Sequence, residues 1–201
     1  MGRFTKILRT KGMKKLSSDK EVERKVYRKS NEIFERSKRR LLEDFLNHPV
    51  SKEIKAGPEA SSSSGAILGA GNLYSFIGFE DGSNPISRVY NLLNMSITLR
   101  KGKTTIVKKT KSSVYMGIKI NMPTKETLAS ETKMPWEPGS WLFKIETGIS
   151  GLGYYIYEKH IKASRSGSGI QIDNKVRPGL FRRQKYMSSM LNKFKRNFIN
   201  K

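Results

Sequence analysis

One apolar stripe governs the first quarter of this chain. Val22, Val26, Ser30, Ile33, Ser37, Leu41 and Phe45 recur at spacings of three and four, which an α-helix brings onto one line. Ser18 or Asp19 can accept from an orphan N–H at its start, Glu21 and Glu23 suit the positive end of the dipole, and Pro49 disfavours helical geometry at His48. A helix over Asp19–Asn47 is therefore predicted, roughly 40 Å long at about 1.5 Å per residue. The serines within the stripe suggest that its C-terminal half packs on a sheet, while its first half is looser and partner-dependent.

Past residue 94 the period changes to two, the mark of half-buried antiparallel strands. Met95, Ile97 and Leu99 alternate with polar residues, Lys101-Gly102-Lys103 offers a turn, and residues 104–110 return as a hairpin. Val114, Met116, Ile118, Ile120 and Met122 alternate until Pro123, and residues 124–138 read as a loop. Trp141, Phe143 and Ile145 alternate again, and Gly153–Glu158 supplies a fifth short strand. After a Ser/Gly run at 164–169, a basic C-terminal helix is expected over 181–199, with Met187, Met190, Leu191, Phe194 and Phe198 on one face. The predicted class is α+β: an antiparallel sheet of about five strands with a long N-terminal helix and a C-terminal helix. It forms a single domain over residues 19–201, preceded by a basic N-terminal arm at 1–18.

Charge restricts the partners. With 40 Lys/Arg against 17 Asp/Glu, the net charge of +23 exceeds ordinary solubility needs and points to a large anionic partner. Met1–Ser18 holds six Lys/Arg and no acid, and Lys175–Lys201 holds nine and no acid. Arg3, Lys6, Arg9, Lys11, Lys14 and Lys15 at one end, and Lys193, Lys195, Arg196 and Lys201 at the other, are the candidate contacts to DNA or an acidic protein surface. With no cysteine there is neither a disulfide framework nor a thiolate metal site. No signal-peptide pattern or membrane-length apolar run is seen, so the expected chain is soluble and not secreted.

Motifs for chemistry fail in turn. Residues 61–72 resemble a phosphate loop without its Gly-Lys-Ser/Thr, Gly148–Gly153 is not in dinucleotide-binding order, and Ser150 lacks a nucleophile-elbow pattern. His48 and His160 stand far apart, without a second ligand at metal spacing. The expectation is no catalytic residue, no metal, no cofactor, no small-molecule substrate and no membrane partner.

The order of parts does carry a resemblance. A long helix leads to Gly57-Pro58, then Ser64-Gly65 with Leu68 or Leu73; Tyr155-Ile156-Tyr157-Glu158 follows later, and Pro178 to Phe181 opens the last helix. This order resembles the tail-completion or neck (head-tail connector) proteins of tailed bacteriophages over about residues 20–200. Pro178 and Phe181 are three residues apart where the family usually has them adjacent, and the neutral segment is longer. The resemblance implies a structural virion protein of the neck, assembled as a homo-oligomeric ring in the host cytoplasm. Its neighbours would be portal or adaptor proteins and tail proteins, with packaged DNA contacted non-specifically in a channel.

Residues 57–79 bear one formal charge, Glu59, in an otherwise basic chain. Copies of so cationic a subunit repel one another, so seams between them should be neutral. Ser64, Gly65, Leu68, Asn72, Leu73, Ser75, Phe76 and Gly78, with Arg182 and Arg183, are the candidate subunit interface. The bland reading of the segment is a Gly/Ser loop followed by a core strand at 72–79. An alternative function is a sequence-independent nucleic-acid-binding protein, whose basic arms hold phosphates while Tyr154, Tyr155, Tyr157, Phe181 or Tyr186 stack on bases.

Overall fold

The computed structural model describes residues 2–11, 20–68, 71–100, 105–109, 113–135, 139–148, 153–156, 170–175 and 181–199; in the strands at 2–11, 105–109, 113–115, 153–156 and 170–175 it describes the backbone. In chain order the elements are β1 (Gly2–Lys11), α1 (Lys20–Asn47), α2 (Pro49–Lys55), α3 (Leu73–Ile77), α4 (Pro85–Ser96), β2 (Thr98–Leu99), β3 (Thr105–Lys109), β4 (Ser113–Met122), α5 (Lys125–Glu131), α6 (Trp141–Thr147), β5 (Gly153–Ile156), β6 (Ile170–Lys175) and α7 (Met187–Ile199). Helical residues outnumber strand residues by 79 to 37, so the described fold is mostly helical. The expected single sheet of five strands is not what forms. Two antiparallel sheets do, one of four strands and one of two.

The chain divides into two compact units. The first takes residues 1–42, 93–124 and 191–201, and the second takes 43–92 and 125–190.

In the first unit β4 is the central strand. All ten residues of β1 pair with it, from Gly2 opposite Met122 to Lys11 opposite Ser113. The segment expected as a free arm thus begins as a strand. On β4's other side β2 pairs through Thr98 and Leu99, and β3 through Thr105, Ile106, Lys108 and Lys109. The expected hairpin between residues 95–99 and 104–110 is replaced by separate pairing of each strand with β4, and Met95 lies in the last turn of α4. Met116, Ile118, Ile120 and Met122 are buried, together with Leu93, Ile97, Leu41 and Leu42. Phe34 of α1 meets Phe194 and Phe198 of α7 edge-on, each ring pair 6.3 Å apart. The buried line of α1 runs Ser30, Phe34, Ser37, Leu41, Phe45. Phe34 takes the place expected for Ile33, and Val22 and Val26 stay half-exposed, so burial begins only in the second third of the helix.

The second unit is organised by two carboxylates and one amide. Glu53 of α2 is 1% exposed, and its two oxygens accept from the N–H groups of Ser64 and Leu73, both at 2.7 Å. Asn72 donates to the carbonyls of Pro58 (2.5 Å) and Ala60 (2.8 Å) and accepts from Ser75 N–H at 3.0 Å, capping α3. Gly78 closes α3 at φ 81°, a left-handed conformation that favours glycine. These caps explain why the helix Leu73–Ile77 forms where a strand over 72–79 was expected. Residues 141–147 are likewise a helix instead of a strand: Ser140 accepts from Phe143 N–H, and Trp141, Leu142 and Ile145 are buried while Phe143 is half-buried. Within the expected loop, α5 forms at Lys125–Glu131.

Glu146 sets the start of α7. One oxygen accepts from Tyr186 N–H (3.2 Å) and Ser188 N–H (2.6 Å), and the other from Ser188 Oγ (2.5 Å). A carboxylate at this end satisfies orphan donors and suits the helix dipole. The helix therefore begins at Met187, six residues later than the expected 181, and Phe181 forms a bridge to Ile67 instead.

Candidate nucleic-acid interface

The two units differ sharply in charge. The first holds 26 of the 40 Lys/Arg and 5 of the 17 Asp/Glu, a net of +21; the second holds 14 and 12, a net of +2. Nearly the whole charge excess belongs to one unit. Every basic residue expected to touch DNA or an acidic partner falls in that unit, whereas every expected interface residue and the aromatics expected to stack on bases fall in the other.

The basic unit's sheet has an unusual composition. Its four strands contain seven Lys/Arg and no Asp or Glu. Side chains alternate across a strand, and paired residues share a face. Arg3, Thr5, Arg9 and Lys11 pair with Asn121, Lys119, Tyr115 and Ser113, so their positions lie on the face of β4 opposite the buried Met116, Ile118 and Ile120. Lys6 pairs with Ile118, on the other face, which separates it from the remaining β1 cations. A register shift between Ile106 and Lys108 places Lys108 opposite Tyr115. Without that bulge the position opposite Tyr115 would be Val107's. The polar face thus gathers the positions of Arg3, Arg9, Lys11, Lys108 and Lys119, with Thr98 exposed beside Asn121 and hydrogen-bonded to it at 3.2 Å. On α7, Lys193, Lys195 and Arg196 are exposed, whereas Lys14, Lys15 and Lys201 lie outside the described residues.

Lys108, Lys119 and Tyr115 were missed in reading the sequence. The signal was present: Tyr115, Gly117, Lys119 and Asn121 interrupt the apolar residues of 114–122, and no acid occurs in residues 2–11, 98–99, 105–109 or 113–122.

The expected interface residues are split by burial. Asn72, Leu73 and Phe76 are buried within the second unit's own fold, and Phe76 stacks on Phe181 at 5.9 Å. Ser64, Leu68, Ser75 and Gly78 are half-buried, and Gly65, Arg182 and Arg183 are exposed. Residues from the two distant segments do converge: Arg182 N–H donates to the Ala66 carbonyl at 2.7 Å, beside the Ile67–Phe181 bridge.

Of the aromatics expected to stack on bases, Tyr186 is 0% exposed, with its hydroxyl hydrogen-bonded to Ser51 Oγ at 2.6 Å and its ring against Phe45. Burial pushes its phenol pKa well above the usual range, so it is core and has no open face for a base. Phe181 is engaged by Phe76; Tyr154 and Tyr155 are described only as backbone in β5, and Tyr157 lies outside the described residues.

His48 caps α2. Its Nε2–H donates to the Lys185 carbonyl (3.1 Å) and its Nδ1 accepts from Val50 N–H (3.3 Å), a pair of bonds that needs the neutral ring. Partial burial lowers its pKa from the usual 6.5, opposed in part by the Lys185 carbonyl. The fold therefore favours the uncharged form. The contribution is complete above pH 6.5 and is lost as the pH falls from there through the lowered folded value. Thermal unfolding of the wild type should weaken between pH 7.5 and 5 more than that of His48→Asn, which keeps a capping acceptor that does not titrate. Parallel pH profiles would rule out this role.

A cleft of about 360 Å³ lies in the second unit, lined by Phe79, Glu80, Asn84, Arg88, Lys133 and Trp141 among others. Its charges are of both signs, Glu80 and Glu131 beside Arg88 and Lys133. Among the described residues no cluster of His, Asp or Glu could hold a metal ion, and no helix is long and apolar enough to cross a membrane. No family model, curated protein or solved structure matches the chain.

Proposed function

We propose that the protein binds nucleic acid without sequence preference, through the first unit. The segregation of charge supports this reading: a net of +21 in one unit, next to a sheet free of carboxylates, makes a polyanion the complementary partner. The reading assigns no catalysis. Duplex-DNA affinity, measured by fluorescence anisotropy from low to physiological salt, should fall with a log-log slope of about 0.9 per phosphate neutralised. Replacing Lys193, Lys195 and Arg196 by Gln should reduce that slope by about one for each lost phosphate contact. These exposed helix positions make a better test than deleting residues 1–18, which would remove a paired strand. An affinity indifferent to salt would sink the proposal.

A second reading, a subunit of a phage head-tail connector, is favoured by the other unit. Its net charge of +2 lets copies meet there without strong repulsion, and Phe181, the described end of the Pro178–Phe181 motif, bridges Ile67 within the Ser64–Leu68 segment. Copies would then form a ring through the second unit, with portal or adaptor proteins and tail proteins as neighbours and packaged DNA meeting the first. Light scattering with negative-stain microscopy should show discrete rings, lost in Arg182→Glu/Arg183→Glu. A monomer throughout, alone or with a portal ring, would remove this reading and leave the first intact.

A further inference from the structure

We infer that the polar face of the four-stranded sheet is a platform for single-stranded nucleic acid, with Tyr115 as the position on which a base stacks. The inference rests on the nucleic-acid reading above and adds the strand state and the place of contact.

Pairing puts Tyr115 on the central strand, opposite Arg9 on one side and Lys108 on the other. Directly paired positions in an antiparallel sheet lie about 5 Å apart, so an aromatic position is flanked on both sides by cationic ones. Two residues along, at Gly117, the same face carries no side chain, and the paired positions there are Ile7 and Thr105. Farther on come Lys119 and Asn121, paired with Thr5 and Arg3. Arg3 and Arg9 stand roughly 20 Å apart at about 3.3 Å per residue, long enough to follow a backbone over several nucleotides. No position on this face or elsewhere in the four strands is acidic, so nothing in the sheet repels phosphate.

This arrangement distinguishes the strand state. In a duplex the base faces are covered by their neighbours in the stack, and only the phosphates could meet a flat sheet. In a single strand the bases can turn onto the central aromatic position while phosphates lie along the cationic ones, the combination that sequence-tolerant single-strand binding uses. The bulge in β3 fits the same account, because it exchanges an apolar position for Lys108 beside Tyr115.

The test uses the full chain with a labelled oligothymidine and a duplex of equal length at one salt concentration. The single strand should bind more tightly. Tyr115→Ala should weaken single-strand binding by about 5- to 150-fold, with duplex binding little changed, and Tyr115→Phe should restore it. Ultraviolet crosslinking of a halogenated oligonucleotide to the wild type, which needs no variant to fold, should map to residues 113–122. Equal affinity for duplex and single strand, or crosslinks confined to other segments, would overturn the platform while leaving the general nucleic-acid reading in place. Absence of binding to either, with tight binding of polyglutamate instead, would overturn both.

Discussion

Phe194→Ala is expected to cost the first unit about 3 to 5 kcal/mol of stability, the range for removing a fully buried phenylalanine ring. Phe194 is 2% exposed, and its ring meets Phe34 edge-on at 6.3 Å, with Phe198 holding a second edge contact to the same Phe34 ring. Truncation opens a cavity between α1 and α7 where both flanking rings are held by helix backbone, so collapse recovers little of the lost contact. Lys193, Lys195 and Arg196 sit in the same helix, and loosening it should also weaken nucleic-acid binding. Circular dichroism during urea unfolding measures the loss. Trp141 is buried in the second unit, so its fluorescence reports on the other half of the chain. A change below about 1 kcal/mol would mean that α7 is not packed by this ring.

Glu53→Gln should destabilise the second unit by about 3 kcal/mol, because a buried donor left without an acceptor costs roughly 1 to 3 kcal/mol. Both carboxylate oxygens of Glu53 are used, one by Ser64 N–H and one by Leu73 N–H. Glutamine keeps one acceptor and turns an amide N–H₂ toward the other donor. The two donors lie at opposite ends of residues 64–73, so the segment loses the group that ties it to α2. Tryptophan fluorescence should show the earlier transition, with Trp141 in the same unit. Stability equal to the wild type would show that water replaces the carboxylate and that the clamp is not what orders the segment.

The neutral segment shows how sequence and structure divide the information. Its lack of charge was plain from the residues, and a seam between subunits was one use for it. The structure supplies another: five residues of 72–77 are buried in the unit itself, where charge would have been costly, and the one charged side chain serving the segment comes from Glu53, outside it. Neutrality follows from burial in either case. Sequence alone could not say whether the burial was internal.

Local periodicity was legible wherever one face alone is covered. The stripe of α1, the alternation of Met116 to Met122 and the apolar face at Met187, Met190, Phe194 and Phe198 could be read directly, because each pattern repeats at the period of its own element. Trp141–Thr147 was misread since Trp141, Leu142 and Ile145 are buried with Phe143 half-buried, and a short apolar run fits either period. What decided it was the Ser140 cap. The C-terminal helix began later than expected because the capping carboxylate, Glu146, comes from forty residues upstream. The net charge was likewise determined by the residues, and so was the basicity of the two chain ends. That residues 1–42 and 191–201 share one unit while 175–190 belong to the other, that β1 pairs with β4 over its whole length, and that a bulge sets Lys108 opposite Tyr115 were decided by tertiary structure alone. Register and long-range pairing depend on which distant strand buries an apolar face, and a one-residue slip reverses every position, so no local stretch of sequence carries that choice.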